Sequence, residues 1–340
     1  MSAPSVPGSD FADMALLIRG FQLSRMIQVA VALDLAGHLM GGPLSAVDLA
    51  LKAGADPGML LRLCRALAAF GIFEVDAEDL ICQSVRSDCL RREATPTLYH
   101  AARYWGTPHV WGGWANLEHA VSTGESAIEP VTHMPHFEYL KQHPEEAELL
   151  NLFMQHSPDD RQAAVVSAYD FSSCGLVVDV GGGNGALLAA ILKSNANVRG
   201  LLFDQEAVVA GAAQNLAAFA GRVEVQAGSF FETIPSGGDI YILSLVLHNW
   251  DDKRCLSILA NIRAAMRVGR RLLVIQQVLG QEKRPPNLIG YLTDMHMMVI
   301  LHGRERSLKE FASLFHASGF GEPQIHYTRS PFCVVEALSV

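Results

Sequence analysis

The sequence predicts an α/β protein. Its main part is a doubly wound, mostly parallel, Rossmann-like sheet with a terminal antiparallel hairpin, and an α-helical winged-helix domain precedes it. Three observations predict this. From 176 to 338, apolar β-branched runs alternate with amphipathic stretches, the pattern of successive βαβ units. A Gly-rich turn in VVDVGGGNGALL joins a strand to a helix start. Upstream, two capped helices are followed by two short strands across an acidic turn.

The elements follow in order. Residues 11–40 carry apolar side chains at helical spacing (Phe21, Met26, Val29, Leu33) until Gly37 interrupts them. Ser45 can cap a short helix that Gly54 ends, and Asp56-Pro57 starts another that runs to about Phe70. IFEVD and DLICQ read as the wing. Residues 95–170 look helical and are rich in aromatics and His. LVVDV, RGLLFD, RVEVQA, DIYILSLVL and RLLVIQQVL suit strands buried on both faces, with helices over 184–194, 205–220 and 251–267 between them. QIHYT and FCVVEAL, parted by a Pro-containing turn, form the hairpin. The domain boundaries expected are 1–95, 96–170 and 171–340.

Composition narrows the function classes. Half of the 340 residues are hydrophobic, too many for disorder. No apolar run reaches the roughly 18 residues that cross a bilayer, and the N-terminus lacks the pattern of a signal peptide. Six scattered Cys suggest neither a disulfide framework nor a zinc cage, so a cytoplasmic protein without a metal is expected. The net charge is −9, and residues 1–100 hold 8 basic and 11 acidic side chains, a balance of −3. Nucleic acid is therefore not the expected partner, and the winged helix reads as a scaffold.

Gly181, Gly183 and Gly185 leave room for a ligand at a helix N-terminus. Alone, the loop also passes as a nicotinamide-dinucleotide site. Asp179, inside the strand before it, can orient the turn's amides or meet a cationic ligand group. Asp204 ends the next strand, where a carboxylate can accept both ribose hydroxyls. His248 closes DIYILSLVLH, at the carboxyl edge where ligands of such sheets bind.

D-V-G-G-G-N-G, Asp204, GSFFETIP (228–235), LVLHNWDD (245–252) and GRERSLKEF (303–311) stand in one order. With them the chain resembles the S-adenosylmethionine-dependent O-methyltransferases of the caffeate and hydroxyindole type, whose bacterial members decorate aromatic natural products. The resemblance covers nearly the whole chain. It implies S-adenosylmethionine as cofactor, S-adenosylhomocysteine as product, a small aromatic substrate, and a homodimer through the N-terminal domain.

It also implies roles. His248 is the general base, steered by Glu305 and by the residue at 276. That residue is Gln276 where the family has Glu, and Asn249 stands where it usually has Asp. Both departures remove negative charge beside the imidazole. The cofactor contacts implied are Asp179, Gly181, Gly183, Asp204, Ser229, Phe230, Ser244 and Ser157. For the substrate wall the residues themselves point to Met154, His156, Asp294, Met295, Met298 and His302, with Asp294, Met298 and His302 at helical spacing on one face. Three alternatives stay open: a relative that binds the cofactor but catalyses another reaction, a ligand-sensing winged-helix DNA-binding regulator, and a nicotinamide oxidoreductase.

Overall fold

The structure is a computed structural model that describes residues 7–155, 161–280 and 287–340. The chain forms two compact units, one of Met1–Ala115 with Met134–Pro158, the other of Asn116–His133 with Asp159–Val340. The helices of 96–170 are shared between the two.

The first unit opens with helices Pro7–Ile18, Gly20–Ala32 and Leu35–His38. The break falls at Asp34, held at φ 49°, and not at Gly37, which continues the third helix. Ser45 caps Ala46–Ala53 by accepting the Asp48 amide, and Gly54 ends that helix in a left-handed conformation. Asp56 caps Pro57–Ala69 by accepting the Met59 amide. Strands β1 (Leu44–Ser45), β2 (Phe73–Val75) and β3 (Leu80–Gln83) make a small antiparallel sheet in the order β1-β3-β2. Leu35, Leu49, Leu67, Phe73 and Ile81 are its buried centre. This is the expected winged helix, with β1 as an unforeseen third strand. It is two residues long and carries no apolar run to announce it.

The second unit holds a seven-stranded sheet. Its strands are β4 (Leu176–Val180), β5 (Arg199–Asp204), β6 (Val223–Ala227), β7 (Ile240–Ser244), β8 (Arg271–Gln276), β11 (Gln324–Tyr327) and β12 (Cys333–Leu338), in the order β11-β12-β8-β7-β4-β5-β6. β4 to β8 pair in parallel, and β12 runs antiparallel to β8 and β11. A second, two-stranded parallel pair joins β9 (Val278–Leu279) to β10 (Arg306–Ser307).

Alternate residues face opposite ways, as the pleat requires. Val178, Val180, Tyr241, Leu243, Leu272 and Val274 meet helices Asp252–Ala265 and Leu308–Ala317. Val177, Leu202, Ile240, Ile242 and Ile275 meet helix Ala186–Ser194. Helices on both faces make the sheet doubly wound.

Two expected elements differ. The stretch 205–220 is not one helix but Glu206–Val209, Ala213–Leu216 and a 3-10 turn at Ala217–Phe219. Gly211 falls at the interruption, and poor helix propensity there leaves packing to decide. The apolar run after β7 stops being strand at Ser244, because Leu245 turns to φ 56°.

Candidate active site

Strand order reverses between β4 and β7, and a crevice opens at the carboxyl ends of strands at such a point. The glycine loop follows β4 there. Gly181 and Gly183 have φ of 68° and 60°, and a Cβ on Gly181 would stand 2.8 Å from Val246 Cγ2 and 3.5 Å from Phe230 Cε1. The loop thus lies directly against the segment that leads to His248.

Asp204, the last residue of β5, accepts the Gly183 amide through Oδ2 (2.9 Å) and the Gln205 amide through Oδ1 (2.7 Å). Burial pushes its carboxyl above the usual range, against the pull of those two amides. Asp204 and not Asp179 is therefore the acid that orients the turn. It does not cap the following helix, whose N-cap is Gln205.

Asp179 is fully buried, and neither carboxylate oxygen has a hydrogen-bond partner among the described residues. Burial, with the Asp204 charge added, pushes its carboxyl up to about 7. An unsatisfied buried acid is costly, and its position under a glycine cradle fits a ligand that brings a cationic group. With Asp204 at the strand end for nucleoside hydroxyls, these residues fit S-adenosylmethionine.

His248 does not close the strand. It sits in a 3-10 turn (Leu247–Asn249) four residues beyond Ser244, because the left-handed Leu245 swings the chain across the sheet's edge. The ring is buried, and its Nδ1 lies 2.8 Å from Oε1 of the buried Glu305. That pairing makes Nδ1 the donor and leaves Nε2 as the basic nitrogen. Gln276 ends β8 and donates from Nε2 to Glu305 Oε2 at 3.4 Å. Asn249 donates from Nδ2 to Leu245 O at 3.2 Å, which closes the turn.

Asp294, Met295 and Met298 lie half-buried on helix Leu288–Ile300. Asp294 also accepts the Glu305 amide (2.8 Å), so it ties this helix to the segment behind the imidazole. His302 is not on that helix, which ends at Ile300 with Leu301 extended. Its Nε2 faces Glu129 (3.2 Å) and its Nδ1 faces Glu125 (3.8 Å). Ser229 accepts the Phe231 amide, and Phe230 packs edge-on against Phe231 and Trp250. Ser244 is half-buried at the end of β7. Met154 is exposed at the end of helix Pro144–Gln155 in the first unit. His156 and Ser157 lie outside the described residues.

Two residues that sequence reasoning passed over stand beside the imidazole. A Cβ on Gly303 would be 1.9 Å from His248 O, so only glycine lets the 303–306 segment lie on that carbonyl. Arg306 is fully buried and bonds Leu247 O (3.0 Å), Trp250 O (2.9 Å) and Asp252 Oδ1 (2.7 Å). Both belong to the G-x-E-R stretch, which drew attention only through its Glu.

A family model described as the O-methyltransferase domain matches residues 114–321. A second, described as the O-methyltransferase dimerisation domain, matches 15–90. The chain is 37% identical over 323 residues to the phenazine O-methyltransferase of Lysobacter antibioticus, covering 94% of each chain. The solved structure of mitomycin 7-O-methyltransferase matches with a TM-score of 0.91 at 33% identity, covering 98% of this chain and 99% of that one. An O-methyltransferase from neocarzinostatin biosynthesis was solved with S-adenosylmethionine and 2-hydroxy-5-methyl naphthoic acid. It matches with a TM-score of 0.82 at 30% identity over 93% of this chain and 96% of that one.

Proposed function

The chain belongs to the O-methyltransferase family, and we propose that within it His248 is the general base and a phenolic hydroxyl of a small aromatic compound the acceptor. When bound, S-adenosylmethionine supplies an electrophilic methyl group on a cationic sulfonium and leaves as S-adenosylhomocysteine. Gly181, Gly183 and Asp204 would hold its nucleoside end, and Asp179 its cationic end. Phe230, Ser229 and Ser244 would complete that site.

The observation that carries the reading is the His248–Glu305 pair at 2.8 Å beside the glycine loop. Glu305 holds Nδ1–H, so Nε2 takes the proton from the acceptor hydroxyl. The buried carboxylate then stabilises the imidazolium, while Gln276 steadies its second oxygen. Among the described residues one carboxylate, that of Glu305, bonds the ring, which favours acceptors whose hydroxyl is itself acidic. Met295 and Met298 offer a polarisable apolar wall suited to an aromatic ring. The phenazine and naphthoate named in the relatives are of that kind.

The first helix exposes Phe11, Leu16, Leu17 and Ile18 around its circumference, apolar surface that a second copy would cover. This surface and the dimerisation-domain match over residues 15–90 support a homodimer through the N-terminal unit.

The test is transfer of tritiated methyl to a panel of phenols: catechol, 3-amino-4-hydroxybenzoate, a hydroxynaphthoate and a hydroxyphenazine. With the acceptor turned over fastest, His248→Ala should lower kcat by about 10²–10⁴-fold. Its affinity for S-adenosylhomocysteine should stay within about threefold, because His248 makes no cofactor contact in this reading. Undiminished turnover in His248→Ala would remove the base role. Tight cofactor binding with no transfer to any phenol would favour a different reaction on the same fold.

A further inference from the structure

Buried arginines are expensive, because a guanidinium taken out of water must have every N–H satisfied. Arg306 meets that demand mostly within residues 247–252. Nη1 donates to Leu247 O (3.0 Å) and Arg304 O (3.4 Å). Nη2 donates to Trp250 O (2.9 Å) and Asp252 Oδ1 (2.7 Å), and Nε to the same Asp252 oxygen (3.2 Å). Two of its acceptors are the carbonyls of Leu247 and Trp250, on either side of His248, and its anionic partner Asp252 opens the helix that follows.

Three neighbouring residues therefore grip the turn in different ways. Gly303 lets the backbone lie on His248 O, Glu305 holds the ring through Nδ1, and Arg306 holds the carbonyls of Leu247 and Trp250. The gripping segment is itself fixed. β10 pairs with β9 in the register Arg306↔Val278, and a capping box between Ser307 and Glu310 starts the next helix. The turn begins on a left-handed leucine and closes through Asn249 Nδ2 to Leu245 O, Asn249 N to Val246 O and Trp250 N to Leu247 O, and the grip from 303–306 adds to these bonds.

We propose that Arg306 is a positioning residue for the methyl transfer: through the Leu247 and Trp250 carbonyls it fixes the angle at which His248 presents Nε2 to the acceptor. The proposal rests on the reading of His248 as the base. The planar fork is what the role requires, since it reaches two carbonyls and a carboxylate at once. A lysine would keep the charge with all its donors on a single atom. A base displaced by about 1 Å costs up to about 10²-fold in rate, with little effect on binding.

Arg306→Lys, His248→Ala and the double variant are assayed with the fastest phenol of the panel, and S-adenosylhomocysteine affinity is measured by calorimetry. Arg306→Lys should lose about 10–100-fold in kcat, with KM and cofactor affinity within about threefold of wild type. The double variant should be no slower than His248→Ala, because a residue that acts through His248 has nothing left to position. If Arg306→Lys fails to fold, Asp252→Asn serves instead. Its side chain is 59% exposed, and its loss loosens the guanidinium while leaving it in place. It should slow kcat less, with the same non-additivity.

Normal kcat in Arg306→Lys beside an inactive His248→Ala would overturn this proposal alone. So would losses that multiply in the double variant. An active His248→Ala would overturn the base reading and this proposal with it.

Discussion

At Asp179 the carboxyl is raised to about 7 by burial and by Asp204, so a neutral solution holds it near its midpoint. A ligand cation favours the ionised form, and binding then releases a proton wherever the acid was protonated. Affinity for S-adenosylhomocysteine, which carries an ammonium, should therefore rise as pH increases from 5.5 to 7.5 and level off above. Asp179→Asn should weaken binding at pH 8 and flatten that slope, read by calorimetry across the range. The sign for stability is opposite. The folded acid binds its proton more tightly than the unfolded one, so unliganded stability falls as pH rises from about 4 toward 7. Gly303→Ala sets a methyl on His248 O, and the segment must move. It should lose most of its kcat while retaining cofactor affinity, as in the Arg306 variant. His248 and Glu305 were legible because the motif names them. Gly303, Arg306 and the Asp294–Glu305 bond were not, because burial and backbone contact leave no mark on a residue's letter.

The turn after β7 shows why an element's end is harder to read than its middle. SLVLH continues the apolar pattern of the strand, and nothing in it announces a leucine at positive φ. The turn beyond that leucine lies against Gly303 and Arg306, more than fifty residues away. The capped helices were legible for the opposite reason, since Ser45 and Asp56 act on amides within their own first turns. In the first unit, helices Pro108–Ala115 and His136–Gln142 meet through the stacked rings of His109 and His136, 5.6 Å apart. His109 also pairs with Glu146, which accepts from Tyr139. Burial, then the like charge of His109, pushes His136 down to about 4. A histidine buried neutral must be charged on unfolding, so stability is full above the unfolded value near 6.5. It is lost as pH falls from there toward 4. At pH 5 the loss is roughly 2 kcal/mol. His136→Phe should remove most of this acid sensitivity, seen in urea midpoints at pH 5 and 7.5.

For the whole molecule, charge and exposed apolar surface set the behaviour in solution. A net charge of −9 predicts no retention on a DNA column at moderate salt. No single helix among the described residues is long and apolar enough to cross a membrane. The first helix nonetheless exposes Leu17 and Phe11 at 71% and 80%. Sedimentation should find a dimer, and Leu17→Asp with Phe21→Asp should shift it toward monomer without unfolding the sheet. Periodicity foretold the alternation of strand and helix well, because β5, β7 and β8 are apolar and buried through their middles, whereas β6, expected to be buried on both faces, lies at the sheet's edge and is largely exposed. The sharing of 96–170 between two units was not foretold, since helical spacing says which face is buried and not against what.

For anyone who would redirect the enzyme to new acceptors, helix Leu288–Ile300 is an uneven substrate for mutagenesis. Among the described residues no hydrogen bond joins Met295 or Met298 to the grip on the imidazole, whereas Asp294 is bonded to the backbone of Glu305. A library that randomises the two methionines and holds position 294 fixed should sample specificity with the proton-transfer apparatus intact. One that includes 294 should fill with inactive clones whatever acceptor is screened.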